Sequence, residues 1–364
     1  MEKPANNPIV ISGPPDFEFN MKVFLRIFIV LVALVQPGHA FDKVIIWGHK
    51  LHSHTHSYVH NGFYRAFQFL GYPTYWFDDQ DYVEDFDFSN SLFLTEGQVD
   101  HNIPLREDCQ YILHYCRSPK YQSLIEKGNC IILQVYNHGL YIYDEVGNPI
   151  LESVPNPDTL IQVEPFVYCD PQGKRVYMPW ATDLLPYEID DVKESLKTVV
   201  KEPSVYWVGT YSGGLFGNIL EIGPFEKACH MNNINFIHKN PWTPKRGISM
   251  QENCELIKRS YMAPAIVGTW QNEKGYIPCR IFKNISYGQM GITNSKTIYD
   301  LFEGKIVYNP NTFQLFYDAE KRIKEMKLEE LYELMDFVKT KHTYLNRIQV
   351  LVEFSNYIKA NTKS

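Results

Sequence analysis

The amino-acid sequence predicts an α/β protein built on parallel sheets and organised as two domains of one architectural type. Three observations carry that prediction. Short apolar runs of strand length alternate with stretches of helical period along most of the chain. The alternation begins at Phe41 and starts afresh after the Pro-flanked, acidic stretch 179–203. At 364 residues, 45% hydrophobic and 21% charged, the chain is long for one core and comfortable for two.

In order along the first half, KVIIW (43–47) reads as a buried strand closed by Gly48. Val59, Phe63, Phe67 and Leu70 recur three or four apart, a helix stripe over 57–70 with Ser57 as N-cap and Gly71 as stop. Residues 72–77, 91–94, 111–115 and 130–135 read as further strands. Strand, helix, strand at this spacing is the βαβ unit, hence a parallel sheet with covered faces. In the second half, VYWVG (205–209) is a strand, 224–231 a helix and 234–238 a strand. Ser249-x-x-Glu252 is a capping box opening a helix to about Met262, and 265–268 reads as a strand. Pro278 at N1 and Gly288 bound a helix over 278–287, followed by strands at 290–293 and 305–308. From Thr312 the chain is helical, with a break at 342–346.

Net charge is −7 and no basic run occurs, so phosphate neutralisation gives no affinity for nucleic acid. The seven cysteines contain no C-x-x-C pair and read as small buried apolar residues. From Met21 the chain reads MKVFLRIFIVLVALVQPGHA, a basic start, an apolar run and a small-residue ending. Residues 1–40 are therefore expected to be a signal peptide or short anchor with a leader, placing the protein in the secretory pathway or on a membrane through 22–36. The alternative is a mis-assigned start on a cytoplasmic protein. No later apolar run reaches membrane-spanning length.

Between the first strand and first helix lies HKLHSHTHSYVHNG (49–62), with His49, His52, His54, His56 and His60. Open α/β sheets bind ligands at such a strand end. Three readings stand. His52, His54 and His56 alternate, so an extended chain turns all three to one side, which suits zinc and a hydrolase with His114 and His138 as further ligands. Next to a helix start, the dipole keeps an imidazole neutral and fit to accept a proton, which favours His56 over His54 as a base. The third reading is plain surface polarity. Glu96, in the strand-end segment LTEG, is the candidate orienter of the base, with Asp100 as the next acid to consider.

Asp79-x-Asp81 and Asp85-x-Asp87 are two-letter matches to a cation-binding D-x-D and read as solvated loops. Gly213, Gly214 and Gly217 follow a strand in YSGGLFGN, and amides exposed in such a turn can face a phosphate. The most informative stretch is GYIPCRIFKNISYGQMGITN (275–294). Its helix terminus leaves amides unpaired, and Arg280 in the first turn offers a bidentate partner for a diphosphate.

That stretch carries a resemblance. P-x-R-x-F-x-x-x-x-x-G, a short strand, then DLFEGKIVYN (300–309) resembles the donor half of GT-B glycosyltransferases, closest to the bacterial spore-maturation-protein-like group and its relatives in large DNA viruses. MPWATDLLP (178–186) resembles the segment where those chains cross between domains, and the similarity spans roughly residues 43–340. The resemblance implies two Rossmann-like parallel-sheet domains facing a cleft: an acceptor domain over 41–190, a nucleotide-sugar domain over 191–340 and a C-terminal helix over 341–364. It implies a glycosyltransferase that moves a sugar from a nucleoside diphosphate to an acceptor hydroxyl on a glycan, lipid or protein. No cofactor or metal is called for, because Arg280, Lys283 and the helix terminus would neutralise the leaving diphosphate. Gly213, Gly214, Lys239, Tyr276, Arg280, Lys283 and Asn294 make up the expected donor set. The family usually carries Glu after the Phe of R-x-F-E, where it holds the donor ribose; this chain has Lys283 there. A binding protein without transferase activity is therefore the second alternative to the zinc hydrolase.

Overall fold

The computed structural model describes residues 41–114, 118–135, 140–143, 149–152, 159–214, 217–239 and 247–362. The expected signal segment and His138 lie outside the described residues. Among those described, no helix is long and apolar enough to cross a membrane.

Five strands of the first half run parallel: β1 (Lys43–Trp47), β2 (Thr74–Phe77), β3 (Ser91–Thr95), β4 (Gln110–His114) and β5 (Cys130–Gln134). Helix α1 (Thr55–Phe69) connects β1 to β2, and the short α2 (Gln122–Glu126) precedes β5. β6 (Leu140–Tyr143) and β7 (Pro149–Glu152) form a separate antiparallel pair. β8 (Ile161–Glu164), β9 (Val167–Asp170) and β10 (Arg175–Tyr177) extend the main sheet, giving the order β2-β1-β3-β4-β5-β10-β9-β8. β3, β4 and β5 are buried throughout, because both faces of the sheet are covered. Alternate residues go to opposite faces. Val44, Ile46, Leu92, Leu94 and Ile112 pack with Phe63 and Phe67 of α1, while Ile45, Trp47, Phe93 and Leu113 pack with Tyr121 and Leu124 on the other side.

After α3 (Pro186–Leu196), the second half contains β11 (Ser204–Val208), α4 (Ile219–Met231), β12 (Asn235–Lys239), α5 (Met250–Arg259), α6 (Thr269–Glu273) and α7 (Cys279–Ser286). β13 (Ile292–Thr293), α8 (Lys296–Leu301), β14 (Val307–Tyr308), α9 (Thr312–Glu325), α10 (Leu328–Lys341) and α11 (Tyr344–Thr362) complete it. β11 pairs in parallel with β12, and β13 with β14. The segment from Ser260 to Ala265 lies between those pairs. The Tyr261 amide donates to the Ser204 carbonyl at 2.7 Å, and the Ala265 amide to that of Ile292 at 2.8 Å. Here the expected strand at 265–268 is reduced to one bridge, Ala265 with Thr293. Pro264 lacks a donor, and the Ser260 hydroxyl replaces a ladder bond by accepting from the Tyr206 amide at 3.1 Å.

Other boundaries also shift for local reasons. α1 begins at Thr55 because the His54 side chain, not Ser57, accepts the first orphan amide, that of His56, at 3.2 Å. Pro278 is the N-cap of α7 and not its first residue. The antiparallel edge β8–β10 was not anticipated; Gly173 and the left-handed Phe166 and Lys174 turn it. The C-terminal helical region breaks at Met326–Lys327 as well as near His342.

The crossing segment 178–186 is knitted to three helices. The Thr182 and Ser286 hydroxyls are 2.7 Å apart, and Arg65 of α1 donates to the Asp183 carbonyl at 2.8 Å. Arg347 of α11 is buried and donates to the carbonyls of Pro179 at 2.9 Å and Trp180 at 3.1 Å. α11 thereby joins the first half's core, with Tyr344 against Phe63 at 4.6 Å between ring centroids.

Candidate active site

Sheet order 2-1-3-4-5 places the topological switch between β1 and β3, where adjacent connections leave for opposite faces and open a crevice at the carboxyl ends. Gly48 and His49 follow β1 there, and Glu96 follows β3. The Glu96 carboxylate is wholly buried. It accepts from the His49 amide at 2.8 Å and lies 2.6 Å from His49 Nδ1. Its other oxygen lies 3.0 Å from Nδ1 of the buried His60. Burial alone would raise the carboxyl, but the neighbouring His60 and the bonds from His49 outweigh it and hold Glu96 well below the usual carboxylate range. An ionised carboxylate only accepts, so His49 donates from Nδ1 and presents Nε2 as a lone pair. The His49 side chain is 23% exposed, so that lone pair belongs to a ring within reach of solvent.

Gly48 makes this approach possible. A Cβ there would lie 1.9 Å from Glu96 Oε2. Gly48→Ala is therefore expected to displace the carboxylate and destabilise the fold by about 1–3 kcal/mol, measured by denaturant unfolding. An unchanged midpoint together with an unchanged His49–Glu96 bond would refute the packing account.

The other histidines surround this pair. His54 stacks on His49 at 4.4 Å, and His56 lies 4.7 Å from the His114 ring. His114, the last residue of β4, is buried against Trp180 at 4.7 Å, with its Nδ1 3.4 Å from His60 Nε2. Burial pushes the His56 imidazole down to about 3 and His114 well below its usual value, with neighbouring imidazoles adding to both. His56 is neutral, as its position at the helix start suggested, but burial is the first cause. His52 adopts φ +72 and turns its ring towards the Tyr58 hydroxyl, so the extended geometry that would align His52, His54 and His56 does not form. Among the described residues, no group of three or more His, Cys, Asp or Glu is arranged to hold a metal ion. Three of the four D-x-D carboxylates have partners within the protein, and Asp85 is exposed. Asp79 accepts from the His101 and Asn102 amides, Asp81 pairs with Lys50 at 2.6 Å, and Asp87 pairs with Lys43 at 3.2 Å. Asp100 is likewise engaged, by Tyr121 and Lys120.

On the second half, β11 is flanked by β12 and the Ser260–Ala265 segment, so its carboxyl end, Val208-Gly209, repeats the switch position. Arg280 reaches it from the first turn of α7. Its guanidinium lies 3.6 Å from the Trp207 ring centroid and donates to the Val208 carbonyl at 3.1 Å. Gly209 takes φ +118 and has no side chain; a Cβ would meet the guanidinium at 2.8 Å. Desolvation pushes Arg280 down to about 10, and among the described residues no carboxylate pairs with it. That leaves a cation short of an anion. His238, at the adjacent strand end, lies 2.7 Å from the Gly209 carbonyl through Nε2.

The rest of the expected donor set is distributed differently. Gly213 and Gly214 lie in the turn after β11, with Gly214 at φ +83, and Asn218 closes it by donating to the Ser212 carbonyl at 2.9 Å. Lys239 is exposed at the end of β12. Tyr276 is half-buried and packs against the cores of both halves. Lys283 is committed to Asp183 at 2.9 Å, with Tyr287 donating to the same carboxylate at 2.6 Å. Asn294 is buried and clamps Val267, accepting from its amide and donating to its carbonyl, both at 2.9 Å. Sequence reasoning did not assign roles to His49, His60 or His238. The signal for His49 was its place directly after Gly48 at the strand end.

The chain matches no protein-family model and no curated protein sequence. Among solved structures it is similar to an alpha-glucosyltransferase in complex with UDP and a 13-mer DNA containing a central A:G mismatch. That likeness has a TM-score of 0.50 at 9% identity and covers 85% of this chain and 99% of that one. An alpha,alpha-trehalose-phosphate synthase (UDP-forming) from Burkholderia vietnamiensis is similar at TM-score 0.47 and 12% identity, covering 90% of this chain and 100% of that one. At such identity the first likeness shows the fold alone: α/β, dominated by a parallel sheet, of the GT-B type.

Proposed function

We propose that this GT-B protein is a glycosyltransferase that moves a sugar from a nucleoside-diphosphate sugar to an acceptor hydroxyl. The observation that carries the reading is the pairing of two sites, each at the switch point of its own strand set. One holds an imidazole oriented by a buried carboxylate, His49 with Glu96, which suits deprotonation of a hydroxyl. The other holds Arg280, which has no anionic partner among the described residues and so suits a diphosphate. His49 is favoured over His54 and His56 because it is the solvent-reaching ring with its Nδ1 on Glu96. A nitrogen as weakly basic as that of His56 is a poor match for general-base work near neutrality. Arg280, the amides of α7 and the 213–214 turn are proposed to replace a metal at the leaving group. The pattern at 276–309 supports placing the chain near the spore-maturation-protein-like group, and the segment 1–40 is proposed to direct it to a secretory or membrane location.

A thermal-shift screen against nucleotide sugars tests the donor half of this reading, because a ligand that binds the native state raises its melting temperature. At a donor concentration about 100-fold above Kd the gain is about 2.7 kcal/mol, and it is expected to survive EDTA. Loss of all donor binding on chelation, with recovery on adding Mn²⁺, would overturn the metal-independent mechanism. Acceptor trials with glycans, lipids and proteins test the other half. DNA is included among them because the similar alpha-glucosyltransferase was solved with DNA. Donor binding with neither transfer nor donor hydrolysis would favour the binding-protein reading, which the internal pairing of Lys283 with Asp183 keeps in view.

A further inference from the structure

Glu96 is shared by two imidazoles of different exposure, and the buried one has a further imidazole nitrogen behind it. The His60 side chain has no exposure, with Nδ1 3.0 Å from Glu96 Oε2 and Nε2 3.4 Å from His114 Nδ1. His49 is partly exposed and holds the other carboxylate oxygen through both its ring and its amide. A buried carboxylate without a contact cation is strongly disfavoured, and so is a buried imidazolium with an unsatisfied N–H. One protonation pattern gives the buried carboxylate a contact cation. His60 carries two protons, facing Glu96 with the Nδ1 proton as its contact cation and donating from Nε2 to the lone pair of His114 Nδ1. His114, kept neutral by burial and by the imidazoles around it, then carries its own proton on Nε2.

We infer that Glu96 and His60 form a buried carboxylate–imidazolium pair backed by His114, and that this internal pair keeps His49 neutral as the exposed base. His60 is thus a positioning residue, acting through Glu96. With the carboxylate charge compensated from inside, a proton arriving at His49 Nε2 gains only part of the attraction that a free carboxylate would provide. The other ionisable groups around the pair are consistent with this state. His54 and His56 approach from the start of α1, and burial keeps the His56 ring uncharged. Asp100, four residues beyond Glu96, is taken up by Tyr121 and Lys120. From α11, Tyr344 is held neutral by burial, and the Arg347 guanidinium is spent on the Pro179 and Trp180 carbonyls. The helix dipole that disfavours a cation at His56 has faded by His60, one turn further on.

This inference rests on the transferase reading only for its link to rate, so its primary test uses no activity. Imidazole ¹⁵N NMR of the intact protein at neutral pH is expected to show His60 protonated on both nitrogens and His49 on Nδ1 alone. In His60→Asn, whose amide N–H can replace Nδ1–H without a charge, the uncompensated Glu96 should move the ¹⁵N titration of His49 to higher pH. His114→Leu, which removes the acceptor behind His60, should shift His49 in the same direction and serves if the first variant does not fold. Where transfer activity is measurable, the acid limb of its pH profile should move up with the His49 pKa. A purely structural role for His60 would lower the melting temperature without moving that limb. A singly protonated His60 in the unmodified protein, or a His49 pKa unmoved in both folded variants, would overturn the inference. Absence of transfer with the NMR shifts intact would instead count against the transferase reading alone.

Discussion

His49→Ala is expected to cut the transfer rate by about 10²–10⁴-fold, the range associated with a positioned general base. Donor affinity should stay within about twofold, since Arg280 and the β11 turn belong to the other half of the molecule. The physical basis is the 2.6 Å contact from Nδ1 to Glu96, which sets the tautomer and leaves Nε2 as the acceptor of the hydroxyl proton. Glu96→Gln should fall in the same range, because an amide can present its N–H to His49 and stabilise the wrong tautomer. His54→Ala removes a stacked neighbour of His49 and His56→Ala a ring of low basicity, so both should cost far less. Rates measured at saturating donor, with Kd determined separately, distinguish these outcomes. If His49→Ala keeps its rate while His56→Ala loses it, the base lies at the helix start and the role assigned to Glu96 fails.

Arg280→Ala is expected to weaken donor binding by about 10- to 100-fold, the equivalent of losing a charged hydrogen-bonding partner of a phosphate. Without ligand the same variant should melt no lower than the parent, and this sets it apart from a packing residue. The guanidinium is desolvated against Trp207, and among the described residues no carboxylate pairs with it, so removing the charge relieves a cost in the empty protein. Arg280→Lys should recover little, since an ammonium cannot both stack on the Trp207 face and offer a planar fork. Calorimetric titration with the nucleoside diphosphate checks affinity, and a melt in its absence checks stability. A large loss of stability without ligand would reassign Arg280 to structure.

Sequence alone was sufficient where the physics is local. KVIIW reads as a buried strand, and 91–94 and 130–135 as strands, because apolar runs of that length suit a sheet covered on both faces; α1 followed from periodicity and the start of α5 from its 249–252 capping box. Glu96 and Arg280 could be picked out because strand ends and helix first turns are positions a sequence displays. Partnership was decided by the tertiary structure. Which histidine meets Glu96 depends on β1 and β3 lying side by side and on Gly48 leaving room for the carboxylate, contacts between residues 47 or 48 positions apart. Lys283 and Asn294 belong to the donor set that the family resemblance implies. Folding gave Lys283 the Asp183 carboxylate and Asn294 the Val267 backbone, since a half-buried cation and a buried amide must be satisfied by whatever the packing brings near them. The antiparallel edge β8–β10 was missed for a related reason: its strands are three or four residues long, too short to establish a period, and only pairing with β5 makes them a sheet.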